Sequence, residues 1–370
     1  MKITIWGNYM TKFGELWNKS LEDLLKEAVD GAISKTKIKA KEIEAVYVAN
    51  MGVGRLENQL HLGALVSSML PHHPPAMRIE GACASGGLAM IAAEQGLLSD
   101  LYQTVLVVGA EKMTDVQTAE ATEFLAGAAD FKREYGSTFP ALYGILTLAH
   151  MKKFGTTRKM LSAVSCKNHR QAMSNSRAQF HKEYSIEEIS QSQLIADPIR
   201  LLDCSPISDG AAAVVLTTKN VKGPKILGFG QGSDSLTLAD RKKLTELGAT
   251  KRAAMGAYKM AGISAVDVEM AEVHDCFSIG EILAIEDLGF FKKGEGGKAT
   301  LKGSTADGGK IVINPSGGLK AGGHPVGATG VKQIAYMADL IRKGKVNVGL
   351  TQNVGGSGGT AVVHILGGGK

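Results

Sequence analysis

Cysteine is scarce in this sequence, and its spacing fits neither a zinc motif nor a disulfide framework. The four cysteines lie far apart, at positions 83, 166, 204 and 276, and no CxxC pair occurs. Isolated cysteines of this kind indicate free thiols in a reducing compartment. We therefore expect a cytoplasmic protein without a metal site.

Two further absences narrow the class of protein. No GxxxxGK[ST] sequence occurs, and no GxGxxG follows a strand pattern, so the sequence does not support nucleotide binding by a Walker or Rossmann loop. No apolar run reaches the length of a membrane helix, and the first residues resemble a strand rather than the apolar core of a signal peptide. We expect no membrane insertion.

Proline is also rare, whereas glycine is abundant. The 370 residues include 9 prolines and 46 glycines, and 44% are hydrophobic, which is typical of an ordered α/β protein with close backbone packing. The length suits two ordinary domains or one large duplicated fold. A net charge of +6 favours a polyanionic small molecule and is too weak to indicate nucleic acid.

The most informative stretch is a cysteine among small residues, IEGACASGG at 79–87. An alanine-rich segment with strong helix formers follows it, so Cys83 is expected at or just before a helix N-terminus. The helix dipole favours an anion there, and a thiolate is the nucleophilic form of cysteine. Locally, a small buried residue in a tight turn is an equally good interpretation.

The chain contains an internal repeat. Residues 253–275 match 28–50 at an offset of 225, and both segments show a helix, a turn and a strand pattern. Cys83 lies 22 positions before the strand pattern at Val105, and His324 lies 22 positions before the one at Val346. A duplicated unit is therefore predicted.

The first copy is longer than the second because it holds an insertion at about 112–208. Helical patterns occur there at 142–153 and 158–172, without a convincing series of strands. Residues 151–182 contain eight Lys or Arg and no Asp or Glu. This stretch is either a solvated helical face or an electrostatic cradle for phosphate groups.

Pseudo-twofold packing of the two copies would bring Cys83 and His324 together as a nucleophile and its base. His274 and Cys276 are one residue apart, so they point the same way in an extended stretch. The glycine run at 355–359 offers backbone N–H groups for an oxyanion hole. The alternatives are a histidine that caps a helix, a buried cysteine at a strand end, and a flexible hairpin.

These motifs resemble the thiolase superfamily along essentially the whole chain. The most specific are GACASGG (81–87), NPSGGLKAGGHPVGATG (314–330) and the C-terminal glycine run. HDCF at 274–277, with Asn353 where other thiolases open that glycine motif with cysteine, is similar to sterol-carrier-type and archaeal members.

The resemblance implies a fold and a division of the chain. The fold would be α/β, a duplicated five-layer αβαβα arrangement with mixed central sheets and an inserted, mostly helical loop domain. The N-terminal half would span 1–220 and include the insertion, and the C-terminal half would span 221–370.

The resemblance also implies roles for the site residues. Cys83 would be the acylated nucleophile, and His324 would activate it and later help to hold the thioester oxygen of the second substrate. His274 would replace an asparagine that elsewhere positions a water, and Cys276 would remove the α-proton. The backbone N–H groups of Cys83 and Gly355 would form an oxyanion hole, and residues 151–182 would cover coenzyme A.

The implied activity is the reversible Claisen condensation of two acetyl-CoA to acetoacetyl-CoA and CoA, without a cofactor or a metal. Two alternatives are a thiolase-like acyltransferase with a non-CoA acceptor and a non-catalytic acyl-CoA-binding or scaffold protein. The expected partners are the acyl-CoA substrate, a second copy of the chain in a homodimer or homotetramer, and an acyl-CoA-binding protein.

Overall fold

The computed structural model describes residues 3–368. No helix within that range is long and apolar enough to cross a membrane. The strands of the described range are β1 (Ile3–Met10), β2 (Ala45–Ala49), β3 (Ala76–Ile79), β4 (Thr104–Glu111), β5 (Leu194–Ala196), β6 (Ile199–Arg200), β7 (Gly210–Thr217), β8 (Lys225–Ser233), β9 (Met270–Glu272), β10 (Val312–Ile313), β11 (Val348–Gly355) and β12 (Thr360–Gly367).

Its α-helices are α1 (Leu21–Ser34), α2 (Val53–Leu56), α3 (Leu62–Ser68), α4 (Ser85–Leu98), α5 (Thr118–Ala126), α6 (Phe139–Phe154), α7 (Arg158–Ala172), α8 (Ile186–Gln191), α9 (Gly248–Ala261), α10 (Ser278–Asp287), α11 (Gly296–Leu301) and α12 (Thr329–Arg342). Local sequence explains where several of them begin. Ser20 caps α1 because its hydroxyl accepts from the Asp23 backbone N–H, while the Asp23 side chain accepts from the Ser20 backbone N–H.

The predicted duplication is visible in the sheet. Strands of the first copy lie in the order β3-β2-β4-β7-β1, and those of the second in the order β10-β9-β11-β12-β8. Each copy has the same pairing, with its first three strands parallel and its last two antiparallel to their neighbours. A short antiparallel contact between β1 and β8 joins them into one ten-stranded sheet. The sequence predicts mixed sheets but not this junction.

Helices α4 and α12 form the middle layer between the two halves of the sheet. Alternate residues of β4 show this arrangement, since Val105 and Val107 pack into the cluster that contains both helices, whereas Leu106 and Val108 pack towards α1. Helices α9 and α10 cover the outer face of the second half. The order of layers is therefore helix, sheet, helix, sheet, helix.

The segment between β4 and β7 contains α5 to α8 and is mostly helical, as predicted. It differs from the prediction in one respect, because β5 and β6 form a separate two-stranded sheet. Each of these strands has at most three residues, too few for an alternating pattern to be recognised in the sequence.

A buried carboxylate ties this segment to the core of the first half. Asp209 accepts hydrogen bonds from the backbone N–H groups of Leu16, Met113 and Thr114, and it forms an ion pair with the buried Lys112. Burial alone would raise the pKa of Asp209, but these hydrogen bonds and the lysine charge hold it below its ordinary value.

We expect Asp209→Asn to destabilise the fold by about 3 kcal/mol, because it leaves the buried Lys112 charge without its buried partner. A carboxyl with a lowered folded-state pKa stabilises above its unfolded pKa of about 3.9. The stabilisation should therefore be present at neutral pH and be lost as the pH falls below that value. Urea unfolding followed by tryptophan fluorescence at several pH values measures both effects.

Asp115→Asn is the matched control, because Asp115 pairs with the same lysine but its side chain is half exposed. It should cost less than about 1 kcal/mol. Equal losses in the two variants would show that Asp209 has no special structural role.

Candidate active site

The predicted nucleophile lies in a turn directly before a helix, as the sequence indicates. Cys83 belongs to a 3₁₀ turn, Ala82–Ala84, and α4 begins at Ser85. Ala82 has a φ of 53°, which is unusual for a residue with a side chain. The turn is held by the Ser85 hydroxyl, which accepts from the Gly81 N–H and donates to the Ala82 carbonyl.

Glycines allow the two middle-layer helices to approach closely where they begin. A Cβ atom on Gly86 would lie 2.7 Å from the backbone nitrogen of Gly330, so only glycine fits at this crossing. The crossing brings the loops before α4 and α12 together. As a result, the sulfur of Cys83 and one ring nitrogen each of His274 and His324 lie within 4.8 Å of one another.

The hydrogen bonds of His324 determine which of its ring nitrogens carries a proton. Its Nδ1 lies 2.7 Å from the Thr329 hydroxyl oxygen, and that hydroxyl donates to the carbonyl of Pro325 at 3.0 Å. Because the threonine proton is used in that bond, the Thr329 oxygen accepts a hydrogen bond from the Nδ1–H group of His324. The Nε2 lone pair of His324 is therefore free to act as a base.

The HDCF segment follows β9 and leads into α10. His274 is held by its backbone N–H, which donates to the Gln352 side chain at 2.8 Å. The backbone carbonyl of Cys276 accepts a hydrogen bond from the Ser205 N–H. This bond attaches the HDCF segment to the inserted segment. Both side chains are buried, and Cys276 lies near enough to Cys83 for a charge on the Cys83 sulfur to raise the pKa of the Cys276 thiol.

The site holds its thiols in the neutral form. Burial raises the pKa of the Cys83 thiol to about 12, and the Glu111 and Glu80 carboxylates act in the same direction. Our expectation that this thiol ionises readily is therefore wrong. The turn lies between the two halves of the molecule, where desolvation outweighs the stabilisation from the helix N-terminus.

Cys276 and His324 are neutral as well. Burial raises the pKa of Cys276, although a hydrogen bond from Tyr143 opposes this shift. Burial therefore disfavours the Cys276 thiolate in the free protein. Burial, with the charge of Lys332, lowers the pKa of His324 to about 3, so this imidazole is neutral at pH 7.

The C-terminal glycine run forms the turn between β11 and β12 and closes the site. The backbone N–H of Gly356 donates to the Cys83 sulfur, and its carbonyl accepts from the Tyr143 hydroxyl at 3.2 Å. Arg241 donates to the Ser357 carbonyl at 2.6 Å. The contact to the sulfur is thus made by the residue after Gly355, and an oxyanion role for the Gly355 N–H stays a prediction.

Comparisons with known proteins agree with this architecture. Residues 3–220 match the family model "Thiolase, N-terminal domain", and residues 230–368 match "Thiolase C-terminal domain-like". The chain belongs to the thiolase family.

Two relatives and one solved structure are similar to this chain over nearly its whole length. An acetyl-CoA acetyltransferase of Methanothermobacter thermautotrophicus is 44% identical over 98% of this chain and 99% of that protein. Sterol carrier protein 2 of Bos taurus is 32% identical over 98% of this chain and 72% of that protein. The solved structure titled "Ltp2-ChsH2(DUF35) aldolase" has a TM-score of 0.84 at 21% identity and covers 99% of this chain and 98% of that one.

Several residues of this thiolase site were not predicted from the sequence. Tyr143 stacks on Phe277 at 4.5 Å between ring centroids and reaches both Cys276 and the Gly356 carbonyl. Thr329 and Arg241 fix His324 and the glycine turn. No local pattern marks these residues, because each contacts the site only through the tertiary fold.

The basic stretch at 151–182 is not a uniform surface. Arg158 and Lys167 form ion pairs with the buried carboxylates of Asp203 and Glu281, so their charges are already compensated. Lys152 and Lys153 at the end of α6 are exposed. A coenzyme A cradle formed by the remaining basic residues of this thiolase stays a prediction.

Proposed function

We propose that this thiolase is an acetyl-CoA acetyltransferase that condenses two acetyl-CoA molecules, with Cys83 as the acylated residue. The observation that carries the proposal is the cluster of Cys83, His274 and His324, with Cys276 beside it and a free lone pair on His324. The similarity to an acetyl-CoA acetyltransferase over nearly the full length of both proteins supports the substrate.

The first half-reaction acylates Cys83. Its sulfur attacks the thioester carbonyl while His324 Nε2 takes the thiol proton, so no preformed thiolate is needed. The bond from carbon to the sulfur of CoA breaks, and the departing thiolate takes the proton of Cys276. CoA leaves as the thiol, and the Cys276 thiolate remains, stabilised by the Tyr143 hydroxyl.

The second half-reaction forms the carbon–carbon bond. The Cys276 thiolate removes an α-proton from the second acetyl-CoA, and the enolate oxygen is stabilised by donors already in place around it. The enolate carbon attacks the acetyl carbonyl, acetoacetyl-CoA forms, and the Cys83 thiolate leaves. Protonated His324 then returns a proton to Cys83. Because Cys276 gives its proton to CoA first, it is a thiolate when the second substrate binds, and its raised pKa makes that thiolate a stronger base.

We also propose that the protein is cytoplasmic, acts in lipid metabolism and forms a homodimer or homotetramer. Four free cysteines support a reducing compartment. Strand β3 supports self-association, because it ends the sheet and Met77 on it is half exposed. The solved structure whose title names a DUF35 component supports a proposal that this chain also has a protein partner.

Mass spectrometry after mixing with acetyl-CoA, together with an assay for acetoacetyl-CoA, tests the function. We expect one acetyl adduct on Cys83 and release of one CoA per adduct, followed by acetoacetyl-CoA. An adduct without acetoacetyl-CoA, but with transfer to another acceptor such as a phenol, would identify a different acyltransferase. Absence of any adduct would instead favour a binding or scaffold protein.

A further inference from the structure

Asn353 occupies a buried position between the nucleophile turn and His274. Its Oδ1 accepts from the Gly87 N–H at 3.0 Å, and its Nδ2 donates to the Cys83 carbonyl at 2.9 Å. The first partner is only a donor and the second is only an acceptor, so the orientation of the amide is determined. The Nδ2 group must therefore be the one that faces His274.

This orientation determines the tautomer of His274. The Asn353 Nδ2 group lies 3.3 Å from the Nδ1 atom of His274. An amide nitrogen has no lone pair to offer, so Nδ1 must accept and cannot carry a proton. Burial, with the neighbouring His324, lowers the pKa of His274, so the ring is neutral and its proton lies on Nε2.

The Nε2–H group of His274 is buried and has no partner among the described residues. Its ring meets that of His324 edge to face, with the centroids 5.0 Å apart. His274 thus offers an unused donor inside the site, whereas His324, whose Nδ1–H is bound to Thr329, offers a lone pair. The two histidines are opposite tautomers.

We propose that Asn353 is a positioning residue that holds His274 as the Nε2–H tautomer, which gives the site a donor for the oxygen of the second substrate. The proposal rests on the condensation reaction proposed above. It also predicts that the site binds zinc weakly. Cys83, His274 and His324 are close enough to bind zinc, but zinc needs an unprotonated nitrogen, and Asn353 keeps the proton on Nε2.

Asn353→Asp tests the proposal because it reverses the hydrogen bond. A carboxylate at this position accepts from Nδ1–H, so Nε2 loses its proton. Carboxylate–histidine pairs of this kind support zinc binding, and we expect zinc affinity to rise roughly 10- to 100-fold. Condensation should fall about 10²- to 10³-fold, as when an oxyanion donor is removed. Acetylation of Cys83 should change much less.

Three measurements check these expectations. Nitrogen NMR of histidine-labelled protein distinguishes protonated from unprotonated ring nitrogens, and a His274→Gln spectrum assigns the signals. Competition of Zn²⁺ between the protein and a chromogenic chelator measures metal affinity. Rapid-quench kinetics with acetyl-CoA separate acetylation from condensation. The NMR measurement on wild type requires no activity, so the tautomer is tested even if the proposed reaction is wrong.

Gln352→Glu is the matched control. It makes the same amide-to-acid change in the preceding residue, whose side chain holds the backbone of His274 rather than its ring. This variant should keep the wild-type tautomer and zinc affinity. Asn353→Ala, which removes the donor without adding a charge, is prepared as well in case the aspartate variant does not fold. It should show a mixture of tautomers.

A double variant separates positioning from a general structural role. If Asn353 acts through His274, adding Asn353→Asp to His274→Gln should reduce condensation by less than about threefold, because a glutamine amide donates whatever its neighbour is. An equal loss in both backgrounds would overturn the proposal. So would a wild-type His274 with its proton on Nδ1, or unchanged zinc affinity in a folded Asn353→Asp.

Discussion

Replacing Cys83 by serine should abolish both half-reactions, with a loss of roughly 10⁴-fold or more. A hydroxyl is a far weaker nucleophile than a thiol, and an acetyl ester on serine would transfer its acyl group less readily than a thioester. The neutral His324 would have to remove a proton from a much weaker acid. Intact-protein mass spectrometry should show no acetyl adduct, and iodoacetamide should no longer modify this position.

Cys166→Ser is the control for this experiment. Cys166 is a partly exposed thiol on α7 and is not a member of the Cys83, His274 and His324 cluster. We expect this variant to keep its acetyl adduct and its activity. Activity that persists at full strength in Cys83→Ser would rule out the proposed covalent mechanism.

Replacing Cys276 by alanine should leave the acetyl-enzyme intact and stop condensation. The acetyl group can still reach Cys83, because CoA is a good leaving group without assistance. Removal of the α-proton then lacks its base, and general acid–base catalysis contributes about 10²- to 10⁴-fold. Stopped assays should therefore show an adduct that accumulates with acetyl-CoA while acetoacetyl-CoA does not form.

Cys204→Ala is the control for this experiment, because it removes a partly buried thiol elsewhere in the protein. Cys204 donates to the carbonyl of Arg200 in the inserted segment and has no part in the proposed chemistry. It should affect stability more than turnover. If Cys276→Ala carries out both half-reactions at wild-type rates, another group removes the proton.

The sequence contains enough information to predict the repeat and the meeting of two loops. Equal spacing of Cys83 and His324 before their strands reflects equivalent positions in two copies of one unit, and pseudo-symmetric packing places such positions face to face. Strand and helix patterns are local, so α7 is predicted at 158–172 and observed at Arg158–Ala172. This part of the fold follows from spacing and periodicity.

The protonation states of the site could not be predicted in the same way. A cysteine before a helix suggests an ionised thiol, but burial between two domains reverses that expectation, and burial is a property of the assembled fold. Asn353 appears in the sequence only as a departure from a family motif. Its contact with His274 requires strands and loops that are distant in the chain, so its role becomes visible only in three dimensions.

The glycine crossing of α4 and α12 has a consequence for how such enzymes can diversify. Because backbone meets backbone there, the separation of the sulfur and the imidazole does not depend on any side chain in the walls of the pocket. Met113 and Phe124, which pack in the cluster around Cys83, take no part in that backbone contact. New acyl groups can thus be accepted while the reacting pair is inherited unchanged.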